Sequence, residues 1–259
     1  MESCTYKVKS KVLKTLLLFI LMDKGKKGIQ DDAQINDLIF KELIKRGYSL
    51  EGRTRVWNIA DSKLWYLTPE QAQAYLDLEG SPKYKKEMID AEMQLIKESM
   101  PEINKRILNE KKEIIIIDIG CGDGKKAIFP IDSLKDKAKI IYCPIDISGY
   151  MVERAIKNIK KTDVAEIVQF QWNISDFENL ENVTRVLRIG GRELFMLFLG
   201  STLGNFEMHE VLYSIKVAME GKDYILIGVA LNKPDHKNIE ETYTSKYSRG
   251  FLFQVLEQV

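Results

Sequence analysis

The chain has 259 residues, of which 45% are hydrophobic, and its 39 basic side chains nearly balance its 38 acidic ones. This length allows one large domain or two unequal ones, with enough apolar residues for a sizeable core. The formal net charge is +1, and the two signs are interleaved along the chain. Such a balance produces no field that would recruit nucleic acid or an acidic membrane. Nucleic acid is therefore disfavoured as a partner.

Cysteine and histidine are sparse. The three cysteines are Cys4, Cys121 and Cys143, an odd count that favours reduced thiols and a cytoplasmic protein. The two histidines, His209 and His236, are far apart, and no Cys-x-x-Cys occurs, so no metal site is predicted.

The apolar run at residues 16–22 is the one stretch that resembles a membrane or signal segment. It is too short to span a bilayer, which requires about 20 apolar residues. A charged segment, residues 23–27, follows it in place of a small-residue cleavage site. We therefore expect a helix of a globular domain here and no membrane association.

Residues 1–80 are predicted to form a mainly helical unit, and residues 81–259 a second domain. Thr68 and Pro69 have the N-cap and first-turn preferences of a helix that runs to about residue 78. Ser81 and Pro82 repeat this signal, and Pro101 is predicted to begin another helix. The other predicted elements are helices at 12–22, 33–45 and 83–99 and a possible hairpin at 53–67, with strands at 53–59 and 63–67.

Two helices followed by a hairpin are also compatible with a winged helix. The second predicted helix carries more acids and amides than bases, which is poor for contact with phosphates. We therefore favour a helical cap that excludes water from an active site. Aromatic residues are available for such a cap: Trp57, Trp65, Tyr66, Tyr75 and Tyr84.

A glycine-rich turn follows a β-branched run at residues 114–117. The run predicts a strand buried on both faces, which ends at Asp118. Gly120, Cys121 and Gly122 then form a tight turn into a helix, and glycines there allow close approach of a ligand. This arrangement is typical of a doubly wound α/β domain that holds an adenosine-type cofactor.

The spacing of this turn distinguishes among cofactors. It lacks the G-x-G-x-x-G of dinucleotide sites, and the chain contains no P-loop. The Asp-x-Gly-x-Gly pattern resembles motif I of class I S-adenosylmethionine (SAM) methyltransferases. Alternatively, the turn simply requires small residues between a strand and a helix.

Acids also follow the next two predicted strands. The run at 139–145 precedes Asp146, whose two oxygens can accept both ribose hydroxyls of an adenosine. The run at 165–172 precedes Asp176 and Phe177, and in methyltransferases such a pair contacts the adenine amino group and ring. Three acids at three successive strand ends predict a SAM site.

A loop with short polar side chains, residues 200–206, follows the predicted strand at 194–199. Its two glycines permit a sharp turn, and Ser201, Thr202 and Asn205 supply polar groups. Asn205 offers both an acceptor and donors, so it can bind an amino acid's carboxylate or amine without adding charge. Alternatively, these side chains bond the backbone of their own loop.

This loop resembles the Gly-Ser-Thr-x-Gly-Asn-Phe signature of the histidine-specific SAM-dependent methyltransferases, which include the histidine Nα-methyltransferase of ergothioneine biosynthesis. Residues 142–148 resemble that family's Tyr-x-Pro-x-Asp-x-Ser segment, and the match covers about residues 84–255. The resemblance implies SAM contacts from the glycine turn, Lys126, Ser148, Gly200 and the acids above. It implies substrate contacts from Ser201, Thr202, Asn205 and Tyr84, although the family's Tyr-Pro-Thr-Arg context is absent around Tyr84.

The C-terminal region departs from that family. A strand is predicted at 224–230 and a helix at 238–259 with a break near Gly250. The further strands that usually complete a class I core are expected to be missing, and the family's substrate contacts there with them. We therefore expect SAM binding but poor turnover of a histidine-type substrate.

The predicted function is N-methylation of an amino acid, histidine-like, or of a similar small amine. Methyl transfer requires no nucleophile from the protein, and no catalytic base is identified. Two alternatives are a catalytically weak SAM-binding or regulatory module, and an RNA or protein methyltransferase that docks through residues 1–80.

Overall fold

The computed structural model describes residues 40–41, 44–45, 47–57, 62–108, 113–162, 164, 166–168, 180–188, 192–230 and 244–255. The helix predicted at 12–22 lies outside these ranges, and the one predicted at 33–45 is helical at 40–41 and 44–45, where the structure describes it. No helix within the described ranges is long and apolar enough to cross a membrane.

A hairpin and a series of helices precede the central sheet. Strand β1 (Tyr48–Glu51) pairs antiparallel with β2 (Thr54–Trp57), and a 3-10 helix follows at Ser62–Trp65. The helices are α1 (Pro69–Glu79), α2 (Pro82–Tyr84), a π-helical segment (Lys85–Ile89) and α3 (Asp90–Ile107).

The hairpin prediction at residues 53–67 is wrong in position. The hairpin lies at 48–57, and a 3-10 helix occupies part of the second predicted strand. Gly52 has φ +64°, the left-handed conformation that a two-residue hairpin turn requires. No glycine lies between residues 58 and 66 to form such a turn.

The predicted start of α1 is confirmed. Thr68 Oγ1 accepts a hydrogen bond from the Gln71 N–H (3.2 Å), and Gln71 Oε1 accepts one from the Thr68 N–H (3.0 Å). This reciprocal capping box satisfies two backbone donors that the first helical turn leaves without partners. It fixes the direction in which α1 leaves the chain that precedes it.

The second part of the chain forms a parallel five-stranded sheet with helices between the strands. The strands are β3 (Glu113–Ile119), β4 (Lys139–Ile145), β5 (Glu166–Ile167), β6 (Leu194–Phe198) and β7 (Tyr224–Ile227), in the order β5-β4-β3-β6-β7. The helices are α4 (Ile128–Leu134), α5 (Gly149–Ile159), α6 (Leu180–Leu187), α7 (Met208–Ala218) and α8 (Lys246–Gln254). The predicted doubly wound α/β fold is confirmed.

The core has two layers, one on each face of β3. Ile114 and Ile116 face the layer that contains α3 and α4, whereas Ile115 and Ile117 face the other layer. The chain progresses outward from β3 to β5 and then returns to β6 on the other side of β3. This reversal opens a crevice beyond the carboxyl ends of β3 and β6, where α/β sheets bind ligands.

Two helix predictions are corrected. Pro101 lies inside α3 instead of beginning a new helix. Met100 before it and Ile107 at the end of α3 are buried in the core, and their packing outweighs the one backbone donor that the proline lacks. Gly250 lies inside α8 without a break, and the neighbouring Phe251 is buried against the aromatic residues before and within α1.

A buried ion pair joins α6 to β7 at the sheet edge opposite the crevice. Arg188 Nη2 lies 2.5 Å from Asp223 Oδ2, and the two side chains are 10% and 1% exposed. Asp223 also accepts the backbone N–H of Leu194 (2.8 Å) and of Glu220 (2.7 Å). This aspartate therefore stabilises the turn into β7 as well as its arginine partner.

We expect Asp223→Ala to lower the free energy of unfolding by about 3–5 kcal/mol, because it removes the close carboxylate from the buried Arg188 and the acceptor from two backbone N–H groups. Urea denaturation measures this change. Glu220→Ala is the control, because that side chain is 73% exposed and its 3.4 Å ion pair with Arg188 contributes about 1 kcal/mol or less. Equal losses in the two variants would contradict this account.

Candidate functional site

A cleft opens beyond the carboxyl ends of β3 and β6. It is open to solvent, and the space within it, including that solvent, is about 1040 Å³. It is lined by the glycine turn at 119–123, the end of β4, the 199–206 loop and α1, with lining side chains that include Tyr66, Tyr75, Glu79, Asp118, Asp123, Lys126, Asp146, Met151, Thr202, Asn205 and Phe206. The cleft is thus where the sequence predicts the cofactor loops to meet.

The glycine turn is held against the end of β4. The N–H groups of Gly120 and Cys121 both donate to the Ile145 carbonyl, at 2.8 and 3.0 Å. Gly120 has φ +67°, and a Cβ there would lie 3.0 Å from Thr202 Cγ2. The position thus requires glycine both for its backbone conformation and for the close approach of the 199–206 loop.

Asp146 connects the glycine turn to the start of α5. Its Oδ2 accepts the N–H of Gly122 and its Oδ1 accepts the N–H of Ser148, each at 2.9 Å. Burial raises the pKa of Asp146, and these backbone bonds oppose that shift. Ser148 itself is fully buried and supports Asp146 through its backbone, and its hydroxyl is not part of the cleft lining.

Asp118 is a buried acid at the end of β3. Its Oδ2 accepts a hydrogen bond of 2.6 Å from the Tyr142 hydroxyl on β4. Burial raises the pKa of Asp118 to about 7; the Tyr142 bond lowers it and the nearby Asp146 raises it. Asp118 therefore lines the cleft as an acid that takes up a proton near neutral pH.

Lys126 lies in the cleft between two glutamates. Its Nζ is 3.0 Å from Glu92 Oε2 and 3.7 Å from Glu79 Oε1. Burial lowers the pKa of Lys126, but the two glutamates outweigh it and raise the pKa above its usual value. The ammonium also packs on Gly200, where a Cβ would lie 2.7 Å from Nζ. Lys126 is therefore a fixed positive charge at the end of β6.

The polar residues of the 199–206 loop have different roles. Ser201 has φ +58°, and its Oγ accepts the N–H of Ala230 (2.8 Å), while Thr202 Oγ1 donates to the Leu199 carbonyl (2.7 Å). Both hydroxyls thus bond backbone, as turn residues do. Thr202 still lines the cleft, but Ser201 does not belong to its lining. Asn205 lines the cleft with Tyr66; burial raises the pKa of that tyrosine, and Asn205 lowers it.

An aromatic wall closes the cleft on the side of α1. We use this name for Tyr66, Tyr75 and Phe251, whose ring centroids lie 5.2–5.4 Å apart. Burial raises the pKa of Tyr66 and of Tyr75 above the usual value, and Tyr84 adds to both shifts. Tyr84 is thus near the wall without belonging to the cleft lining.

The structure does not describe two of the predicted site residues, and it shows two candidate site residues that were not predicted. Asp176 and Phe177 lie outside the described residues. Glu79 and Glu92 were not predicted, although each occupies a helix position that is unusual for an acid. Glu79 is an acid in the last turn of α1, where the helix dipole disfavours negative charge. Glu92 precedes the buried Ile96 by four residues, so it lies on the same face of α3 as that core residue, where acids are rare.

We expect Asp118→Asn to become more stable relative to the wild type as the pH rises from about 4 to 8. A carboxyl whose folded-state pKa lies above its unfolded value stabilises the fold at low pH, and that contribution is lost as the pH rises towards about 7. Thermal unfolding across this range measures the difference.

Tyr142→Phe provides a second test of the same prediction. It removes the hydrogen bond that lowers the pKa of Asp118, so its stability should fall more steeply with pH than that of the wild type. Parallel pH–stability curves for all three proteins would contradict the prediction.

Known proteins resemble this chain in sequence and in fold. Ergothioneine biosynthesis protein 1 of Schizosaccharomyces pombe is 21% identical over 165 residues, which are 62% of this chain and 21% of that protein. The chain thus spans about a fifth of that relative's length. The plantazolicin methyltransferase BpumL, solved in complex with SAH, is 15% identical, with 87% of this chain and 73% of that chain covered and a TM-score of 0.46.

A second solved structure, a putative S-adenosyl-L-methionine-dependent methyltransferase from Methanococcus maripaludis, is 17% identical, with 82% and 88% of the two chains covered and a TM-score of 0.37. The model of a protein family described as histidine-specific, SAM-dependent methyltransferases matches residues 75–259. That range contains the sheet, the glycine turn, Asp146 and the 199–206 loop. The resemblance predicted from the sequence is confirmed, and the chain belongs to the family of histidine-specific, SAM-dependent methyltransferases.

Proposed function

We propose that this SAM-dependent methyltransferase methylates a nitrogen of an amino acid, histidine-like, or of a similar small amine. The observation that carries the proposal is the position of Asn205. It lines the same cleft as the glycine turn and Tyr66 of the aromatic wall, and it lowers the pKa of Tyr66, which burial raises. A neutral amide beside a phenol suits a small polar acceptor better than a nucleic-acid backbone, which requires positive charge.

The residues of the cleft fit SAM as cofactor. We assign Asp146 to the ribose hydroxyls: each of its oxygens accepts one backbone N–H and retains a second lone pair for a ligand donor. Asp118, Gly120, Cys121 and Gly122 form the floor, and Gly200 lies against Lys126. Asp176 and Phe177 stay predicted contacts to the adenine.

Lys126 is assigned to the carboxylate of the cofactor's methionine portion. It is the one basic side chain in the described lining of the cleft, and its ion pair with Glu92 fixes its position. A fixed ammonium binds a carboxylate through a charge-assisted hydrogen bond, which is stronger than a neutral one. The cofactor's charged end would thus lie at the crevice between β3 and β6.

The chain's own contribution to the reaction is binding and orientation. SAM, when bound, supplies an electrophilic methyl group on a sulfonium sulfur. Asn205, with Tyr66, would hold the acceptor so that its lone pair is in line with that methyl group, and such positioning supplies much of the rate. Ser201 and Tyr84 would act by supporting the loop and the wall, while Thr202 packs against Gly120.

Transfer from radiolabelled SAM to separate pools of amino acids, tRNA and cell protein tests this function. Label in the small-molecule pool alone supports the proposal. Label in tRNA or protein supports a macromolecular acceptor that docks through residues 1–80, and contradicts it. SAM binding with no label in any pool favours the regulatory module.

We expect Gly200→Ala to weaken SAH binding roughly tenfold or more, because φ +76° at Gly200 strains an alanine and its Cβ would lie 2.7 Å from Lys126 Nζ. Gly52→Ala is the matched control: it has a similar φ of +64°, and a Cβ at that position meets no atom within 4 Å. Isothermal titration with SAH compares the two. Equal SAH affinities for the two variants would contradict the assignment of Gly200, with Lys126 against it, to the cofactor site.

We expect Asn205→Ala to lower kcat/KM for the amine acceptor by roughly tenfold to a hundredfold, the loss of a hydrogen bond to a charged group. SAH affinity should change by about twofold or less, because Asn205 is assigned to the acceptor. Gln94→Ala, at an exposed amide on α3, is the control and should leave both values unchanged. A large loss of SAH affinity in Asn205→Ala would reassign this residue to the cofactor.

A further inference from the structure

Two glutamates share the single ammonium of Lys126. Glu92 Oε2 lies 3.0 Å and Glu79 Oε1 lies 3.7 Å from Lys126 Nζ. The three side chains are only 17–18% exposed, so water screens their charges weakly. Two carboxylates for one ammonium leave one negative charge in excess at this end of the cleft.

Glu92 is committed to the protein. Its Oε1 accepts the Gly200 N–H at 2.7 Å, and its Oε2 pairs with Lys126. The backbone at Gly228 is packed so closely on this carboxylate that a Cβ there would lie 2.0 Å from Oε1. Both oxygens are therefore used to fix Lys126 and the ends of β6 and β7, and Glu92 is a positioning residue.

Glu79, in contrast, faces the cleft and belongs to its lining. Its distance of 3.7 Å from Lys126 is an electrostatic contact beyond the length of a hydrogen bond. Burial raises the pKa of Glu79, while Lys126 and the nearby Tyr75 oppose that shift. A buried carboxylate held in this way is stabilised by a further positive charge from a ligand.

We propose that Glu79 binds the α-ammonium of SAM while the adjacent Lys126 binds its α-carboxylate. The ammonium and carboxylate of an amino acid are attached to one carbon, so they require opposite charges that lie side by side. Glu79 and Lys126 are such a pair, and both line the crevice that contains the glycine turn. The inference rests on the placement of Lys126 proposed above and is independent of the methyl acceptor.

Isothermal titration with three probes tests this assignment: SAH, SAH without its α-amine, and methylthioadenosine, which lacks the whole amino-acid end. The wild type should bind SAH roughly tenfold to a hundredfold more tightly than the deaminated probe, the contribution of one charge-assisted hydrogen bond. This comparison requires no variant. Equal affinities for these two probes would overturn the proposal.

Glu79→Gln should lower SAH affinity by the same factor while leaving the affinity for the deaminated probe and for methylthioadenosine unchanged. Glu79→Asp, which keeps the charge, should recover part of the loss. Glu70→Gln, the same substitution at an exposed position of α1, is the matched control and should bind all three probes like the wild type.

The other outcomes decide against the proposal. A Glu79→Gln variant that binds SAH normally but transfers methyl slowly would make Glu79 a base for the acceptor amine. Equal weakening for SAH and methylthioadenosine would mean that Glu79 supports the cleft as a whole. If the wild type bound none of the probes, the cofactor site proposed above would be wrong. That result differs from equal affinities for SAH and the deaminated probe, which would overturn only the assignment of Glu79.

Discussion

The burial of β3 on both faces is the constraint on which the rest of the structure depends. Residues 114–117 are each 2% exposed or less, and a fully buried isoleucine stabilises a fold by about 1.5–3 kcal/mol. The strand pairs in parallel with both β4 and β6, so one register fixes where all three strands end. Because the three strands end together, Asp118, Asp146 and Gly200 lie at the same edge of the sheet. Contacts between their loops are not needed to place them there.

The cleft contains several buried carboxylates, which protein cores usually exclude. Asp146 is tolerated because backbone N–H groups bond both of its oxygens, and Glu92 because a lysine and a backbone N–H do so. Buried acids with such partners are preorganised, because they need no rearrangement when a ligand arrives. Preorganisation explains why two acids and one lysine are retained where apolar residues would make a more stable domain.

The sequence predicted the sheet and the order of the cofactor loops because those signals are local: a β-branched run, a glycine spacing and an acid after each strand. It missed Glu79 and Glu92 because their partner, Lys126, is distant in sequence, and no spacing rule connects α1 or α3 to that lysine. The continuation of α3 through Pro101 was missed for a related reason. Packing of Met100 and Ile107 into the core overrides a strong local stop signal, and that packing exists only in the folded chain.

The aromatic wall joins parts of the chain that are far apart in sequence. Phe251 on α8 packs on Tyr66 and Tyr75, which line the cleft, so one side of the cleft is supported by a residue near the C-terminal end of the described chain. Phe251 itself does not line the cleft, so α8 supports the wall from behind. The position of two tyrosines that line the cleft therefore depends on a single helix that contributes no residue to the sheet.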